Sequence, residues 1–289
     1  MTEIKKPMLA DPVKTIDDVR FPVLASAKLD GIRCLKIDGQ ALYRSFKPIG
    51  NNFVRTYLEK HCPNGLDGEL MVRNAQFCDL TGAIRREDGE PDFFYAVFDY
   101  VTEGIDEPYE DRYENLVDKV KSLNDPRIVL VPHVKVNNLN ELKEYERICL
   151  DHRFEGVMVR SVDGPYKCGR SSVKEGYLLK IKRVVDSEAE IIDLLPMMHN
   201  DNEPDVDMFG RTKRSHCQDG MVEMDTLGKF VVKDDKNFPG ATFEIGTGQG
   251  LTLELRKKIW MNRNEFKGRF VKYKYQDCGT KDLPRFPVW

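Results

Sequence analysis

The chain carries the stretch Ala-Lys-Leu-Asp-Gly-Ile-Arg-Cys at positions 27–34. Its lysine follows an apolar run, residues 21–27, and stands just before Asp30-Gly31, a dipeptide typical of tight turns. The pattern predicts that Lys28 projects from the end of a strand into a cleft. A lysine in such a place can act as a nucleophile, although a surface lysine before a hairpin turn is the more common interpretation of this tetrad alone.

A second stretch, Leu-Leu-Lys-Ile-Lys-Arg at positions 178–183, makes the functional interpretation of Lys28 the better one. Successive side chains of a strand point to opposite faces, so Lys180 and Lys182 lie on one face and Ile181 on the other. Paired cations suit phosphate, and they would favour the neutral amine that a nucleophilic lysine requires. The same cations would stabilise the charge on a phosphate under attack.

Composition and charge restrict the class of protein. With 289 residues the chain can form two medium-sized domains, each with its own core. The net charge of −3 argues against a protein that is basic throughout, yet residues 211–216 and 256–274 concentrate positive charge, which is enough to follow a nucleic acid backbone. The seven cysteines include no Cys-x-x-Cys pair, so neither a zinc cluster nor a disulfide framework is expected.

Membrane and export signals are not expected either. No run of residues has the length and apolarity needed to span a bilayer. The first seven residues, Met-Thr-Glu-Ile-Lys-Lys-Pro, lack the apolar core of a signal peptide. We therefore expect a cytoplasmic protein, in the cytoplasm of the host if the source is a virus, without a membrane partner.

The pattern along the chain changes near Arg183. Up to that residue, strand patterns alternate with helices predicted at 52–60, 111–123 and 139–151, and Asp-Gly turns are expected at 30–31, 38–39 and 67–68. Beyond it, short strands near 189–195, 220–225, 229–233 and 269–275 accompany one helix, 251–261. We predict an α+β fold: antiparallel sheets with flanking helices in residues 1–186, a small β-barrel of the oligonucleotide-binding (OB) type in residues 187–289, and a hinge near 184–187.

Three further side chains have chemistry that a strand does not need. Glu69 lies in the apolar run 66–72, where a carboxylate requires a partner such as a ribose hydroxyl, unless the strand is an exposed edge. Phe98 lies in the aromatic run 93–100, whose rings belong mostly to a core and one of which could stack on a base. Glu155 precedes the strand pattern 156–160 and suits a magnesium ion shared with water and phosphate, but an ordinary acid at a strand end gives the same pattern.

In this order the motifs resemble those of the covalent nucleotidyltransferases and, more narrowly, of small ATP-dependent DNA ligases of the bacteriophage type. The resemblance rests on Lys28-x-Asp-Gly-x-Arg33, Leu-Asp-Gly-Glu69, Phe98-Asp-Tyr, Glu155-Gly-Val-Met-Val-Arg160 and Leu-Lys180-Ile-Lys182, and it extends to segments at 7–10, 42–49, 243–248 and 270–275. It implies an adenylation domain, residues 1–186, followed by a DNA-binding OB-fold domain, residues 187–289. It also implies a monomer that uses ATP and Mg²⁺ or Mn²⁺ to seal nicked duplex DNA in replication, repair and recombination.

The resemblance also implies a role for each matched residue. Lys28 would attack the α-phosphate of ATP and carry AMP, which then passes to the 5′-phosphate of a nick before the 3′-hydroxyl displaces it. The other implied roles are Arg33 toward the ribose or phosphates, Glu69 on a ribose hydroxyl, Phe98 on adenine, Lys180 and Lys182 on the α-phosphate, Glu155 and as a second candidate Glu69 on the metal, and Arg44 with Ser45 on the 5′-phosphate of the nick.

Two segments of the second domain carry further expectations. Loop 199–219, with Gly210 and the basic run 211–214, is a candidate for enclosing the duplex, and a disordered barrel insertion is the alternative. Members of the resembled family usually continue past an Arg-Phe-Pro segment into a motif that orients pyrophosphate, whereas this sequence stops at Trp289. Either the sequence is truncated, or Arg285 and neighbours such as Lys281 substitute in part for that motif. We therefore expect self-adenylation to be slower than the later steps.

Three other functions stay open. A messenger-RNA capping guanylyltransferase shares the Lys-x-Asp-Gly arrangement and a barrel, and labelling by GTP would identify it. An RNA ligase is the second alternative, but the barrel resembles that of DNA ligases more closely. A non-catalytic nucleic-acid-binding module is the remote alternative, because it has no need of Lys28, Glu155, Lys180 and Lys182 together.

Overall fold

The structure, a computed structural model, describes residues 4–13, 15–102, 104–206, 212–276 and 283–289. The chain forms two compact units, Met1–Arg183 and Val184–Trp289. Each unit has its own hydrophobic core. No helix within these described ranges is long and apolar enough to cross a membrane.

The first unit is built around sheets. Its strands are β1 (Met8–Leu9), β2 (Asp11–Pro12), β3 (Val23–Ala27), β4 (Ile32–Ile37), β5 (Gln40–Tyr43), β6 (Leu66–Val72), β7 (Phe93–Tyr100), β8 (Ile128–Leu130), β9 (Val134–Val136), β10 (Gly156–Ser161), β11 (Gly169–Arg170) and β12 (Leu178–Lys182). One sheet has the order β5-β4-β6-β7-β8 and is antiparallel except for β7–β8. A second has the order β2-β12-β10-β3-β9 and is antiparallel except for β2–β12, while β1 and β11 form a short parallel pair.

Helices flank these sheets: α1 (Asn52–His61), α2 (Phe77–Arg85), α3 (Tyr109–Leu123) and α4 (Leu139–Asp151), with a 3₁₀ turn at Ile16–Asp18. The side chain of Asn51 accepts a hydrogen bond from the backbone N–H of Val54 at the start of α1, and Asn138 caps α4 in the same way. The three helices predicted from the sequence are confirmed. Helix α2 was not predicted, because it is short and buries little beyond Leu80 and Ile84.

The hydrophobic cores explain why buried side chains alternate with more exposed ones along the strands. In the first sheet, Leu70 of β6 and Tyr95 of β7 are fully buried and belong to one core with Leu58 of α1. In the second sheet, Ile181 is buried in a core shared with Leu142 of α4. The neighbours of Ile181 on β12 are Lys180 and Lys182, which are only partly buried, as the alternation of this strand predicts.

The three Asp-Gly dipeptides that were predicted as turns occupy three different settings. The pair at 38–39 forms the predicted hairpin turn between β4 and β5, with φ angles of 48° and 79°. The hairpin predicted at 30–31 is wrong, because this segment joins β3 of the second sheet to β4 of the first. The turn predicted at 67–68 is also wrong, because both residues lie inside β6. A Cβ at Gly68 would lie 2.4 Å from the carbonyl oxygen of Ala96, so glycine serves close strand packing here.

The second unit is a closed barrel of the order β13-β16-β17-β19-β18. Its elements are β13 (Val185–Asn200), β14 (Pro204–Val206), β15 (Thr212–Arg214), β16 (Met221–Lys233), β17 (Thr242–Gly246), α5 (Leu253–Met261), α6 (Arg263–Phe266), β18 (Phe270–Gln276) and β19 (Arg285–Val288), with a 3₁₀ turn at Gln218–Gly220. The predicted strands at 220–225 and 229–233 are parts of one long strand, β16. The predicted helix at 251–261 is confirmed as α5, which the Thr252 side chain caps.

Beyond the barrel, β13 and β16 continue as a two-stranded arm. Their pairing extends to Asn200 and Met221, and the short strands β14 and β15 pair with each other between these two residues. The described parts of segment 199–219 therefore contain a hairpin instead of an irregular loop. Residues 207–211, which include Gly210 and Arg211, and residue Lys281 lie outside the described residues.

Substituting Gly68→Ala tests the placement of residues 67–68 in a strand. The added methyl group would push β6 away from β7, and such overpacking costs about 1–3 kcal/mol of unfolding free energy. Gly82→Ala is the matched control, because no atom lies within 4 Å of its added Cβ in α2, and alanine is favoured in helices by about 1 kcal/mol. Urea denaturation should show G68A destabilised and G82A unchanged or stabilised. Equal stability of the two variants would contradict the strand placement.

Candidate active site

A cleft of about 360 Å³ opens in the first unit and is lined by strands of both five-stranded sheets. The chain crosses from one sheet to the other between β3 and β4, and this crossing carries Lys28 into the cleft. The predicted site residues that line it are Lys28, Arg33, Arg44, Glu69, Phe98 and Lys180. Within the described part of the chain, Glu155, Ser45 and Lys182 are not lining residues. Glu155 contacts Lys28, Ser45 is exposed beside Arg44, and Lys182 follows Lys180 on β12.

Lys28 is fixed by two contacts at the end of β3. Its backbone N–H donates a 2.9 Å hydrogen bond to the carbonyl oxygen of Gly156, which continues the pairing of β3 with β10. Its ammonium group forms an ion pair with Glu155, the residue before β10. The side chains of Lys28 and Glu155 are 20% and 8% exposed, so the pair is shielded from bulk water but reachable from the cleft. Glu155 is thus the immediate partner of Lys28, which the sequence pattern did not reveal.

Further cations stand next to Lys28. Burial lowers the pKa of Lys180, and the charges of Arg170, Lys182 and Lys28 lower it further, while Glu155 opposes them. Arg170 lies on β11 and lines the cleft, but the sequence analysis did not assign it a role. Its strand has only two residues, so no periodicity pointed to it. This cationic wall has the charge needed to bind an anion.

Phe98 forms the aromatic wall of the cleft and packs against guanidinium groups. The centroid of its ring lies 4.6 Å from the Cζ atom of Arg33 and 5.1 Å from that of Arg160. Both arginines are held by buried carboxylates, Arg33 by a two-pronged contact with Asp67 and Arg160 by a 3.1 Å contact with Asp99. Arg33 is therefore anchored to a protein carboxylate beside the ring, and Arg160 is a cleft residue that the sequence analysis left without a role.

Glu69 lines the cleft with one oxygen atom unpartnered. Its Oε2 atom is inaccessible and has no hydrogen-bond partner among the described residues. Burial raises the pKa of Glu69 to about 7, although the charges of Arg33 and Lys28 act in the opposite direction. A buried oxygen without a donor costs free energy, so this position fits a ligand that brings a hydroxyl group, as a ribose does.

The carboxylates of the cleft do not form a metal cage by themselves. In the ranges that the structure describes, no three histidine, cysteine, aspartate or glutamate side chains come together as metal ligands. Magnesium, however, is often held by one or two carboxylates together with water and substrate phosphates. Glu155, in contact with Lys28, and Glu69, within its electrostatic reach, have the chemistry for such a site.

The two-sheet cleft and the closed barrel define a class of protein, a nucleotidyltransferase domain followed by an OB-fold domain. Residues 7–182 match the family model described as ATP dependent DNA ligase domain, and residues 221–289 match the model described as DNA ligase OB-like domain. The chain belongs to the family of ATP-dependent DNA ligases. The resemblance that the sequence motifs indicated and the predicted α+β fold with an OB barrel are thereby confirmed.

Individual relatives agree with the family model. The chain is 27% identical over 238 residues to the DNA ligase of Enterobacteria phage T4, covering 62% of this chain and 48% of that protein. It is 25% identical over 193 residues to a DNA ligase of African swine fever virus, covering 62% and 46%. The chain thus spans about half the length of these curated relatives.

Solved structures extend the comparison over nearly the whole chain. A Chlorella virus DNA ligase-adenylate is 37% identical, with a TM-score of 0.59, and the match covers 98% of this chain and 96% of that one. A Lig E DNA ligase has a TM-score of 0.73 at 21% identity, covering 98% and 97%, which supports the fold alone.

Glu69→Gln tests the buried carboxyl group. Because folding raises the pKa of Glu69 to about 7, the folded protein keeps a proton that the unfolded chain has lost above its ordinary pKa of about 4.3. The stability that this proton gives is present at low pH and is lost as the pH rises through 7. Relative to E69Q, the wild type should lose on the order of 2 kcal/mol of unfolding free energy between pH 5 and pH 8.

Urea denaturation of both proteins at the two pH values measures this difference. Glu114→Gln, at an exposed position on α3, is the control and should show little change with pH. A stability difference between wild type and E69Q that does not vary with pH would contradict the raised pKa.

Proposed function

We propose that this chain seals nicks in duplex DNA with ATP through a covalent lysyl-AMP intermediate on Lys28. The observation that carries the proposal is the position of Lys28 in the cleft, at the sheet crossing and beside the cations Lys180 and Arg170. The aromatic wall at Phe98 and the unpartnered oxygen of Glu69 supply sites for a base and a ribose. The 37% identical Chlorella virus structure is itself a ligase-adenylate, which agrees with a nucleotide in this cleft.

The first step is an adenylyl transfer to Lys28. The base of ATP would stack on Phe98, a ribose hydroxyl would donate to Glu69, and the α-phosphate would lie against Lys180 and Lys182. Lys28, whose ammonium group contacts Glu155, first loses one proton to water and becomes a neutral amine. Its Nζ atom then forms a bond to the α-phosphorus, the bond from that phosphorus to pyrophosphate breaks, and a second proton leaves Nζ for water. A bound Mg²⁺ or Mn²⁺, held by Glu155 and Glu69, would neutralise charge on the phosphates.

The later steps use the rim of the cleft. Arg44 is exposed and lines the cleft, and Ser45 stands beside it, so both can meet the 5′-phosphate of a nick that receives AMP. The 3′-hydroxyl then attacks this phosphate and AMP leaves. We propose that the enzyme acts as a monomer, as the resemblance to the family implies.

The second unit would hold the duplex. The described part of its hairpin carries Lys213, Arg214 and, shortly after β15, His216, and all three are exposed. Positively charged side chains bind the phosphate–sugar backbone and do not distinguish one base sequence from another. Such binding suits an enzyme that recognises nicks. The hairpin is therefore the candidate for enclosing the duplex. No described feature favours an RNA ligase, a capping guanylyltransferase or a non-catalytic module over this function.

Labelling of the protein by nucleotide tests the lysyl-AMP intermediate. With magnesium and α-phosphate-labelled ATP, the wild type should acquire a label that survives denaturation. The Lys28→Ala variant should acquire none. Lys121→Ala, at an exposed position on α3, is the control and should be labelled like the wild type. A label from GTP and not from ATP would show a guanylyltransferase. Failure of both labelling and sealing of preadenylated nicks would contradict the proposal.

Salt dependence tests the role of the hairpin. The logarithm of the binding constant falls with the logarithm of the salt concentration, and each phosphate contact adds about 0.9 to the steepness of this fall. Replacing both Lys213 and Arg214 by alanine should therefore make the fall for nicked duplex shallower by about two. The matched control is the pair Lys119→Ala and Lys121→Ala on α3, which removes the same charge elsewhere. Titrations of labelled DNA at several salt concentrations measure the slopes. Equal slopes for the two double variants would remove the hairpin from the DNA interface.

A further inference from the structure

Phe98 owes its position to an irregularity of the sheet. Residues 99 and 97 of β7 pair with consecutive residues 67 and 68 of β6, so Phe98 is the extra residue of a β-bulge. A bulge takes a residue out of the regular ladder and re-aims its side chain. The carbonyl group of a bulged residue then needs another hydrogen-bond donor if it is shielded from water.

The hydroxyl group of Tyr109 provides that donor. Tyr109 lies at the start of α3, is only 1% exposed, and donates a 2.6 Å hydrogen bond to the carbonyl oxygen of Phe98. The same hydroxyl lies 2.9 Å from Nε2 of His133. The other ring nitrogen of His133, Nδ1, donates a 2.9 Å hydrogen bond to the carbonyl oxygen of Val131. Nε2 therefore carries no proton and can only accept, so the single hydroxyl proton of Tyr109 is shared between Nε2 and the carbonyl oxygen of Phe98. Through this shared proton, Tyr109 and His133 together connect the main chains of Phe98 and Val131.

This connection stands where regular strand pairing ends. The last backbone bond of β7 with the β8 segment runs from the N–H of Val131 to Val97, and the next residue is a proline, which has no N–H to donate. Val131 and Phe98 both line the cleft. The hydroxyl–imidazole pair thus continues, through side chains, a ladder that the backbone cannot continue.

The environment of Tyr109 and His133 keeps the imidazole of His133 in one protonation state. Burial and, as the second cause, the guanidinium of Arg160 together lower the pKa of His133 to about 3, so the imidazole is neutral near pH 7. The Cζ atom of Arg160 lies 4.5 Å from the centroid of the Tyr109 ring. The pair is therefore packed under the same arginine that contacts Phe98, and its hydrogen bonds do not change with moderate changes of pH.

We propose that Tyr109 and His133 are positioning residues for the base of ATP, which hold the bulge at Phe98 so that its ring presents a face to the purine. The inference rests on the proposed function and deepens it. Loss of the pair should weaken binding of the base by roughly three- to tenfold, the contribution of one aromatic stacking contact. The maximal rate constant of self-adenylation should change little, because Lys28 and the cationic wall are untouched.

The test measures single-turnover self-adenylation and compares the half-saturating ATP concentration, written KM, with the maximal rate constant, written kcat. Tyr109→Phe removes the hydroxyl, and His133→Leu fills the space without a hydrogen bond; both should raise KM and leave kcat within about twofold, as the pair binds and does not react. His133→Gln keeps a polar group for Tyr109 and should restore a KM near that of the wild type. Tyr57→Phe is the control, since the hydroxyl of this half-buried tyrosine contacts Asp125 and does not line the cleft.

A second measurement separates base positioning from general loosening. Inorganic triphosphate has no base, so its inhibition constant against ATP should be the same in wild type, Y109F and H133L. A parallel loss of triphosphate binding, or an equal rise of KM in Y57F, would overturn the inference. So would unchanged KM values in thermally stable Y109F and H133L.

The inference and the proposed function can fail separately. Absence of both an ATP label and sealing of preadenylated nicks in the wild type would contradict the function. Calorimetric titration of ATP into Lys28→Ala, with and without Tyr109→Phe, measures binding without chemistry. Weaker ATP binding in the double variant supports the positioning role even then, whereas equal binding refutes it.

Discussion

Two buried carboxylates that face each other across neighbouring strands are the constraint on which the cleft depends. Asp67 of β6 and Asp99 of β7 are directly paired, and they are 1% and 0% exposed. Like charges in this arrangement repel, and a buried carboxylate without a cation is strongly unfavourable. Burial alone would raise the pKa of Asp99, but Arg112 and Arg160 outweigh it and hold the pKa below its usual value. These two arginines therefore offset the cost of burying Asp99 inside the sheet.

The pairing of these carboxylates with arginines also fixes the surroundings of Phe98, the aromatic wall of the cleft. Asp67 engages Arg33 and Asp99 engages Arg160, so the two guanidinium groups that contact Phe98 are fixed from behind. Besides this aromatic wall, the cleft contains the carboxyl group of Glu69, which has one unpartnered oxygen, and the cations around Lys180. The cleft thus offers an aromatic ring, an acceptor and cations, the three kinds of partner that we propose for the base, ribose and phosphates of a nucleotide.

The sequence predicted the elements that local chemistry determines. Helices α1 and α4 have Asn caps and apolar spacing, and the alternation of β12 gave the faces of Lys180 and Lys182. The Asp-Gly dipeptides show where local reasoning ends. The same two residues form a hairpin at 38–39, a crossing between sheets at 30–31 and a strand interior at 67–68, and the last depends on how closely Ala96 approaches Gly68. The partners Asp67, Asp99 and Arg112 were missed because their contacts join distant parts of the chain.

The two walls of the cleft place different demands on the fold. A cationic wall acts through charge, which falls off gradually with distance, so a small displacement of Lys180 or Arg170 changes the attraction for a phosphate only modestly. An aromatic wall acts through contact, and an ångström of misplacement removes much of the stacking and dispersion energy. Accordingly, the cationic wall is partly exposed, whereas Phe98 is backed by the buried side chains of Asp99, Arg160 and Tyr109. The buried, closely packed side chains of the cleft thus lie behind Phe98, where geometry, and not charge, decides binding.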